Sequence, residues 1–320
     1  MPKVTATDRP LVIAIGGNSL TKPGEVGTLE EQRKNARETC KLLAQLAAKG
    51  FRLVITHGNG PQVGNVLLRV EIAAEHDVYP LPLDVCDSDT QGGIGYMIQQ
   101  ILGDEYVAQG LERRVATIVT QVIVDPDDPE FQAPSKPIGR FMTKDEAMTA
   151  HRERGWWVAE TDIRGYRRVV PSPKPRQVVE LETIKAVYDS GATVICAGGG
   201  GVPVYPDQGR LCGVEAVIDK DLATSLLARE LGADTLIIST GVPQAMLNFG
   251  TDQAQPLEKM TPAEARQYLA AGQFPLGSMG PKIAAAIEFV EKTGGKALIT
   301  DPPHLEAAID GVGGTWVVPE

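Results

Sequence analysis

Two short glycine loops are the first places where chemistry can be read in this chain of 320 residues. Gly16-Gly17-Asn18-Ser19 follows the apolar run Leu11 to Ile15, and Gly58-Asn59-Gly60-Pro61 follows Phe51 to Thr56 and His57. A short β-branched run that ends in glycine reads as a buried strand turning into a loop. In open α/β sheets, ligands sit beyond the carboxyl ends of such strands. Glycine lets backbone N–H groups approach an anion closely, and a helix starting there adds positive potential. One such loop reads equally well as a plain tight turn. Two of them, each with an asparagine, point to anion binding.

Three lysines stand among glycine, proline or acidic neighbours: Lys136 in PSKPIG, Lys220 in VIDKDLA and Lys282 in GSMGPK. Phosphoryl transfer needs positive charge around the migrating group, because negative charge spreads over its oxygens in the transition state. Asp219 and Asp221 flank Lys220, so a carboxylate could hold it in place. Lys282 follows Gly280-Pro281 at the start of a predicted helix. Taken singly, each lysine reads equally as an exposed salt bridge. A Walker A motif is absent, G-x-G-x-x-G does not open the first loop, and G-x-S-x-G is absent, which disfavours nicotinamide and Ser-hydrolase chemistry. The four histidines are too scattered for a metal cluster, and the metal ligands are unknown. His57 stands beside the second loop, where a structural hydrogen bond is the better-supported role.

These residues need a frame, and the strand–glycine loop–helix unit recurs. Helices are predicted over 29–49, 61–75, 184–190, 221–231, 281–292 and 305–309. Strands are predicted over 11–15, 51–56, 115–124, 193–197, 235–240, 297–300 and 315–318, with four glycines, Gly198 to Gly201, after the fourth. Strands alternating with helices predict a mostly parallel sheet covered on both faces. Residues 125–175 break the rhythm with proline, charge and tryptophan. They read as an inserted subdomain whose core would use Phe131, Phe141, Trp156, Trp157 and Tyr166, with a disordered linker as the alternative.

Composition limits the function. Hydrophobic residues make up 42% and charged residues 22%, enough to bury a real core. A net charge of -10 argues against non-specific nucleic-acid binding. Cys40, Cys86, Cys196 and Cys212 form no C-x-x-C pair and read as reduced thiols. The first ten residues lack the apolar core of a signal peptide, and no apolar run approaches a membrane span of about 20 residues, so a cytoplasmic protein is expected.

The chain resembles the carbamate kinases of the amino-acid kinase family. The matching stretches include AIGGNSL (14–20), VITHGNGPQVGN (54–65), TQGGIGYMIQQ (90–100), SKPIGRF (135–141), RGYRRVVPSP (164–173), VICAGGGGVPV (194–204), GVEAVIDKDLA (213–223), LNFG (247–250) and GSMGPK (277–282). The resemblance implies reversible phosphoryl transfer between ATP/ADP and carbamate/carbamoyl phosphate with Mg²⁺, in arginine or related nitrogen catabolism. It also implies a homodimer and an open three-layer αβα sandwich. That fold is a single amino-acid kinase domain over 1–320, with 125–175 as a subdomain protruding over the acid site. Lys220 and Lys282 would stabilise the transferring phosphate, with Asp221 orienting them, and Lys136, also catalytic, would reach in from the subdomain. Gly16, Gly17, Asn18, Gly58, Asn59 and Gly60 would cradle the carbamate or carbamoyl phosphate. Asp219, Thr240, Gly241, Val242, Met246, Gly277, Met279 and Gly280 would bind the nucleotide. A phosphotransferase acting on another small acid is the alternative. The first strand holds no lysine, where related amino-acid kinases have one, and segment 84–90 (DVCDSDT) is more acidic than the family pattern. The STGVPQAMLNFG stretch, with Gly241, Pro243 and Met246, also departs from that pattern.

Overall fold

The structure is a computed structural model that describes residues 1–320 except Pro23, Ile163 and Leu276, and except the side chains of Asn18 and Asp162. The chain opens with β1 (Leu11–Ile15), α1 (Leu29–Ala48), β2 (Leu53–His57), α2 (Gly60–Ala74) and the long helix α3 (Leu83–Ala108). Next come β3 (Val115–Thr117), β4 (Gln121–Val124), β5 (Lys136–Met142), α4 (Lys144–Arg154), β6 (Trp157–Asp162), β7 (Gly165–Val170) and β8 (Pro175–Val178). Then follow α5 (Leu181–Asp189), β9 (Thr193–Ile195), β10 (Val202–Asp207), β11 (Arg210–Gly213), α6 (Lys220–Glu230) and β12 (Thr235–Ser239). The chain ends with β13 (Met246–Leu247), β14 (Gln255–Pro256), β15 (Lys259–Met260), α7 (Pro262–Ala270), α8 (Met279–Thr293), β16 (Lys296–Thr300), α9 (Leu305–Ile309) and β17 (Thr315–Val317).

Eight strands form one sheet in the order β15-β17-β16-β12-β1-β2-β9-β3, parallel except where β16 meets β17. Ile13, Ile15, Leu53 and Ile55 point to one face, against Leu43 and Leu46 of α1 and Ile98 and Ile101 of α3. Val12, Val54, Leu236 and Ile238 point to the other, against Ile184 of α5, Leu227 of α6 and Phe289 of α8. Both faces are covered, which is why the central strands read as unbroken apolar runs. Each such side chain contributes about 1.5–3 kcal/mol by leaving water. This is the three-layer αβα architecture expected from the sequence.

The register of the central strands places the functional loops. Ile15 pairs with His57, and Ala14 pairs with Ile238, so β1, β2 and β12 end at one level. From β1 the chain moves to β2 on one side and later returns to β12 on the other. The strand order therefore reverses at β1, and a crevice beyond the carboxyl ends is expected there.

A second sheet runs β11-β10-β4-β8, a pair joins β13 to β14, and a third sheet runs β5-β7-β6 with antiparallel neighbours. Helix α4 packs on the third sheet through Met142, Ala147 and Ala150, with Trp156, Val158 and Tyr166 alongside. The other expected aromatics go elsewhere. Phe131 packs beside Val122, Val124 and Ile218, Trp157 is 55% exposed, and Phe141 lies beneath the Arg164 and Arg167 guanidiniums.

The single strand predicted over 115–124 is two strands in different sheets. Thr120 holds the break: its N–H donates to Gln91 Oε1 at 2.9 Å, and its hydroxyl accepts from Ala197 N–H at 2.9 Å. Across 76–114 the sequence pattern gives no element, yet α3 occupies 26 residues there. Among the described residues, no helix is long and apolar enough to cross a membrane.

Candidate active site

A cavity of about 500 Å³ lies where β1 and β2 end, bounded by β5 and by the starts of α2, α6 and α8. It collects most of the residues singled out from sequence: Gly17, Gly58, Asn59, Gly60, Lys136, Asp219, Lys220, Asp221, Gly277 and Lys282. Arg140, Arg164 and Arg167 also line it, and the sequence reading did not single these out. Three lysines and three arginines thus face two carboxylates. The cavity is cationic inside a protein of net charge -10, so it suits an anion. A larger hollow of about 650 Å³, between α2 and the third sheet, has no convergent lysines.

Asp221 organises the cations. Its Oδ1 accepts from Lys220 Nζ at 2.5 Å and its Oδ2 from Lys282 Nζ at 3.1 Å. Lys136 Nζ reaches in from β5 and donates to Asp219 Oδ2 at 2.9 Å. The other oxygen of Asp219 caps α6 by accepting from Asp221 N–H at 2.9 Å. The sequence reading grouped Asp219 with the nucleotide; in the structure it anchors Lys136 and the α6 cap.

Burial alone would raise the Asp221 carboxyl, but the adjacent Lys220 and Lys282 charges outweigh it and hold it below the usual carboxylate range. Burial also pulls the Lys220 ammonium down, against the opposing pull of Asp221. His57 is pushed down to about 4, chiefly by burial, and is neutral at pH 7. Its Nδ1 lies 3.1 Å from Gly58 O, which gives it the structural hydrogen bond expected.

Of the loop glycines, Gly16 is the one that close approach requires. A Cβ on Gly58 would stand 3.4 Å from Lys220 Cδ and 3.5 Å from Gly17 N, so the two loops and the lysine stem meet there. A Cβ on Gly16 would come 2.8 Å from Ser239 O, at the β1–β12 crevice. Helices α2 and α8 start at the cavity without a side-chain cap. At α2 the Gly60 N–H remains available to an anion; at α8 the Met279 N–H does, because Gly280 N–H goes to Pro275 O and Pro281 has none. The side chain of Asn18 lies outside the described residues.

A second layer supports the second loop. Asn59 Nδ2 donates to Asp87 Oδ1 at 3.0 Å and to Thr90 Oγ1 at 2.9 Å, both from α3. Behind them runs the tetraglycine turn. A Cβ on Gly198 would stand 2.3 Å from His57 Nε2, and one on Gly199 would stand 2.3 Å from Asn59 Nδ2. Sequence reasoning missed Asp87 and Thr90 as site residues; the unexplained acidity of 84–90 was the available signal.

Thr240, Gly241, Val242, Met246 and Met279 line a second cavity of about 240 Å³, with Phe249 and Phe274. Ser278 lines both cavities, which makes them neighbours. Gly280 sits behind, in the first turn of α8, where its N–H donates to Pro275 O at 2.9 Å. A polar, cationic chamber therefore adjoins a smaller one rich in Met and Phe.

The model of the amino acid kinase family matches residues 9–301. The chain belongs to the amino acid kinase family. Within it, the carbamate kinase of Pyrococcus furiosus is 48% identical over 310 residues, 97% of this chain and 99% of that one. A carbamate kinase-like protein of Escherichia coli is 46% identical over 313 residues, 96% and 98% of the two chains. The solved carbamate kinase of Giardia lamblia bound to AMP-PNP superposes with a TM-score of 0.91 at 40% identity, over 98% of this chain and 99% of that one.

Proposed function

We propose that the chain is a carbamate kinase, transferring a phosphoryl group reversibly between ATP/ADP and carbamate/carbamoyl phosphate. The observation that carries the reading is the Asp221 carboxylate held between Lys220 and Lys282, facing the uncapped starts of α2 and α8. Amino acid kinase membership and relatives named carbamate kinase over nearly the whole chain support it.

In the ATP-forming direction, a β-phosphate oxygen of ADP attacks the phosphorus of carbamoyl phosphate. The bond from phosphorus to the acyl oxygen breaks, and its electron pair leaves on carbamate. No protein nucleophile is needed, so catalysis is alignment plus charge stabilisation. Lys220 and Lys282, already fixed by Asp221, meet the charge that spreads over the transferring oxygens. Lys136 reaches the same chamber from β5. The N–H groups of Gly17 and Gly60 hold the acid side of the substrate, while the Gly58 N–H is taken by Ile15 O at 3.0 Å. The second cavity takes the base of the nucleotide, with Met246 against the purine.

The oxygens of Asp219 and Asp221 are of the kind that suits Mg²⁺, a hard cation, but all four already accept from Lys136, Lys220, Lys282 and the first turn of α6. Among the described residues no group of three or more His, Cys, Asp or Glu stands ready to hold a metal. The ion would enter with the nucleotide phosphates and neutralise their charge. The reading extends to residues 125–175 as an inserted subdomain over the acid site, supported by Lys136, Arg140, Arg164 and Arg167 reaching the cavity from that segment. It also extends to a cytoplasmic homodimer working in arginine or related nitrogen catabolism, supported by the resemblance alone.

The test is ATP formation from ADP, carbamoyl phosphate and Mg²⁺. Rapid synthesis supports the reading. ADP binding without synthesis would favour a paralogue acting on another small acid, which the Escherichia coli relative's carbamate kinase-like name keeps in view.

A further inference from the structure

The hollow of about 650 Å³ beside the active site lies between α2, which lends it Leu67, Glu71 and Glu75, and the subdomain, which lends it Trp156, Trp157 and Val170. Its volume falls within the range of about 300–1,000 Å³ typical of small-molecule sites, and phosphoryl transfer makes no use of it. The charges on its walls are unequally committed. The Arg154 guanidinium lies 5.1 Å from the Trp156 ring centroid and 3.6 Å from Glu71. That of Arg168 lies 4.9 Å from the same centroid and donates to Glu215 Oε2 at 2.9 Å. Both cations on the wall thus already have a ring and a carboxylate. Glu75 is exposed, and among the described residues its carboxylate has no hydrogen-bond or ion-pair partner. Three glutamates against two arginines leave the walls net negative, the reverse of the lysine-bearing cavity. An anion entering the hollow would meet arginines already paired. A cation would meet an unpaired carboxylate and indole faces.

The two cavities share a core. Val63, Leu67, Ile138 and Val170 belong to one packed cluster. Val63 and Ile138 face the lysine-bearing cavity, and Leu67 and Val170 face the hollow. Val170 is also the cross-strand partner of Lys136. A close-packed interior transmits displacement, so a ligand lodged against Leu67 and Val170 bears on the elements that carry Gly60 and Lys136.

We propose that the hollow is an effector site for a small organic cation with an apolar body, such as an aromatic primary amine, and that it is coupled to the active site through this shared core. The apolar body lies against Leu67, Val170 and the Trp156 and Trp157 rings, and the ammonium meets Glu75. The site itself is independent of the carbamoyl phosphate reading; only its coupling to the acid rests on that reading.

The experiment titrates the protein with phenylethylamine and follows tryptophan emission, because Trp156 and Trp157 line the hollow while Trp316 is fully buried in the core. A saturable change with a Kd of about 1 mM or tighter is expected for so small a probe. Phenylethanol, its uncharged counterpart, should bind roughly fivefold more weakly, and phenylacetate more weakly still. Glu75→Lys should weaken phenylethylamine binding about tenfold. Because Glu75 is exposed, this variant should fold and keep its rate of ATP formation without the probe. With carbamoyl phosphate saturating and ADP left out, the Kd of the probe in wild type should shift about fivefold. Binding that is absent, that ignores the charge of the probe, or that survives Glu75→Lys would overturn the site. A wild type that makes ATP from carbamoyl phosphate and binds the probe, but whose Kd for it ignores carbamoyl phosphate, would overturn the coupling. A chain that binds the probe with the expected charge order yet makes no ATP from carbamoyl phosphate would leave the site standing and bring down the proposed function alone.

Discussion

Lys282 and Asp221, 61 residues apart in sequence, meet at 3.1 Å in the wall of the main cavity. The contact joins the first turn of α8 to the first turn of α6, and it leaves one carboxylate serving two ammoniums. Lys282→Ala and Lys220→Ala should each lower kcat for ATP formation by about 10²–10³-fold, the effect of removing one preorganised donor. Near-normal turnover in either would remove that lysine from the mechanism. Asp221→Asn differs in kind, because it strands two lysines whose side chains are only 13% and 15% exposed. Loss of a buried counter-charge costs roughly 3–5 kcal/mol, so this variant should show its defect in urea unfolding as well as in rate.

The central strands were legible because burial on both faces writes an unbroken apolar run. Leu11–Ile15 has the predicted bounds, and the strands ending at Ser239 and Thr300 fall within a residue of theirs. The lysines and glycine loops were legible by residue type. Helix α3 was not. Its buried positions 83, 86, 87, 90, 91, 94, 98, 101 and 102 keep helical spacing, but Asp87, Thr90 and Gln91 are polar because they serve the site and the Thr120 break. A Cβ on its Gly95 would meet Thr117 Cγ2 at 2.3 Å, so that glycine lets the helix pack against β3. A polar buried face removes the very contrast on which a sequence pattern depends.

Asp87 also makes a prediction for pH. Burial pushes its carboxyl up to about 8; the Asn59 hydrogen bond opposes this and the Asp84 charge adds to it. Between about pH 4 and 8 the folded protein holds a proton that the unfolded chain releases. This group's contribution to stability therefore falls as pH rises through that window, by at most about 1.4 kcal/mol per pH unit. Urea unfolding of wild type and Asp87→Asn at pH 5 and pH 8 should show the wild type losing ground to the variant at the higher pH. A difference that stays constant, or runs the other way, contradicts the assignment.

The second cavity separates nucleotide from acid. Met246 lines it but not the lysine-bearing chamber. Met246→Ala should raise the KM for ADP roughly fivefold, on the scale of about 1 kcal/mol of lost apolar contact. The KM for carbamoyl phosphate should stay within twofold of wild type. If the two KM values rise in step, the cavities do not divide the substrates as proposed.

The tetraglycine turn gives the most demanding prediction, because its effect must pass through Asn59. Gly199 has φ +67°, and a Cβ there would stand 2.3 Å from Asn59 Nδ2, too close for any real contact. Gly272 has a similar φ, +69°, and a Cβ there would meet nothing within 4 Å. Gly272→Ala therefore reports the backbone strain alone, about 1 kcal/mol or slightly more. Gly199→Ala carries the same strain plus the displacement of a buried amide from Asp87 and Thr90. It should lose more stability than Gly272→Ala in thermal unfolding, by about 1–3 kcal/mol. It should also raise the KM for carbamoyl phosphate, which Gly272→Ala should leave alone. If the two alanine variants behave alike in both measurements, the turn does not brace the substrate loop. A selective loss of carbamoyl phosphate affinity would instead tie the glycines after β9 to the loop after β2 through the Asn59 amide.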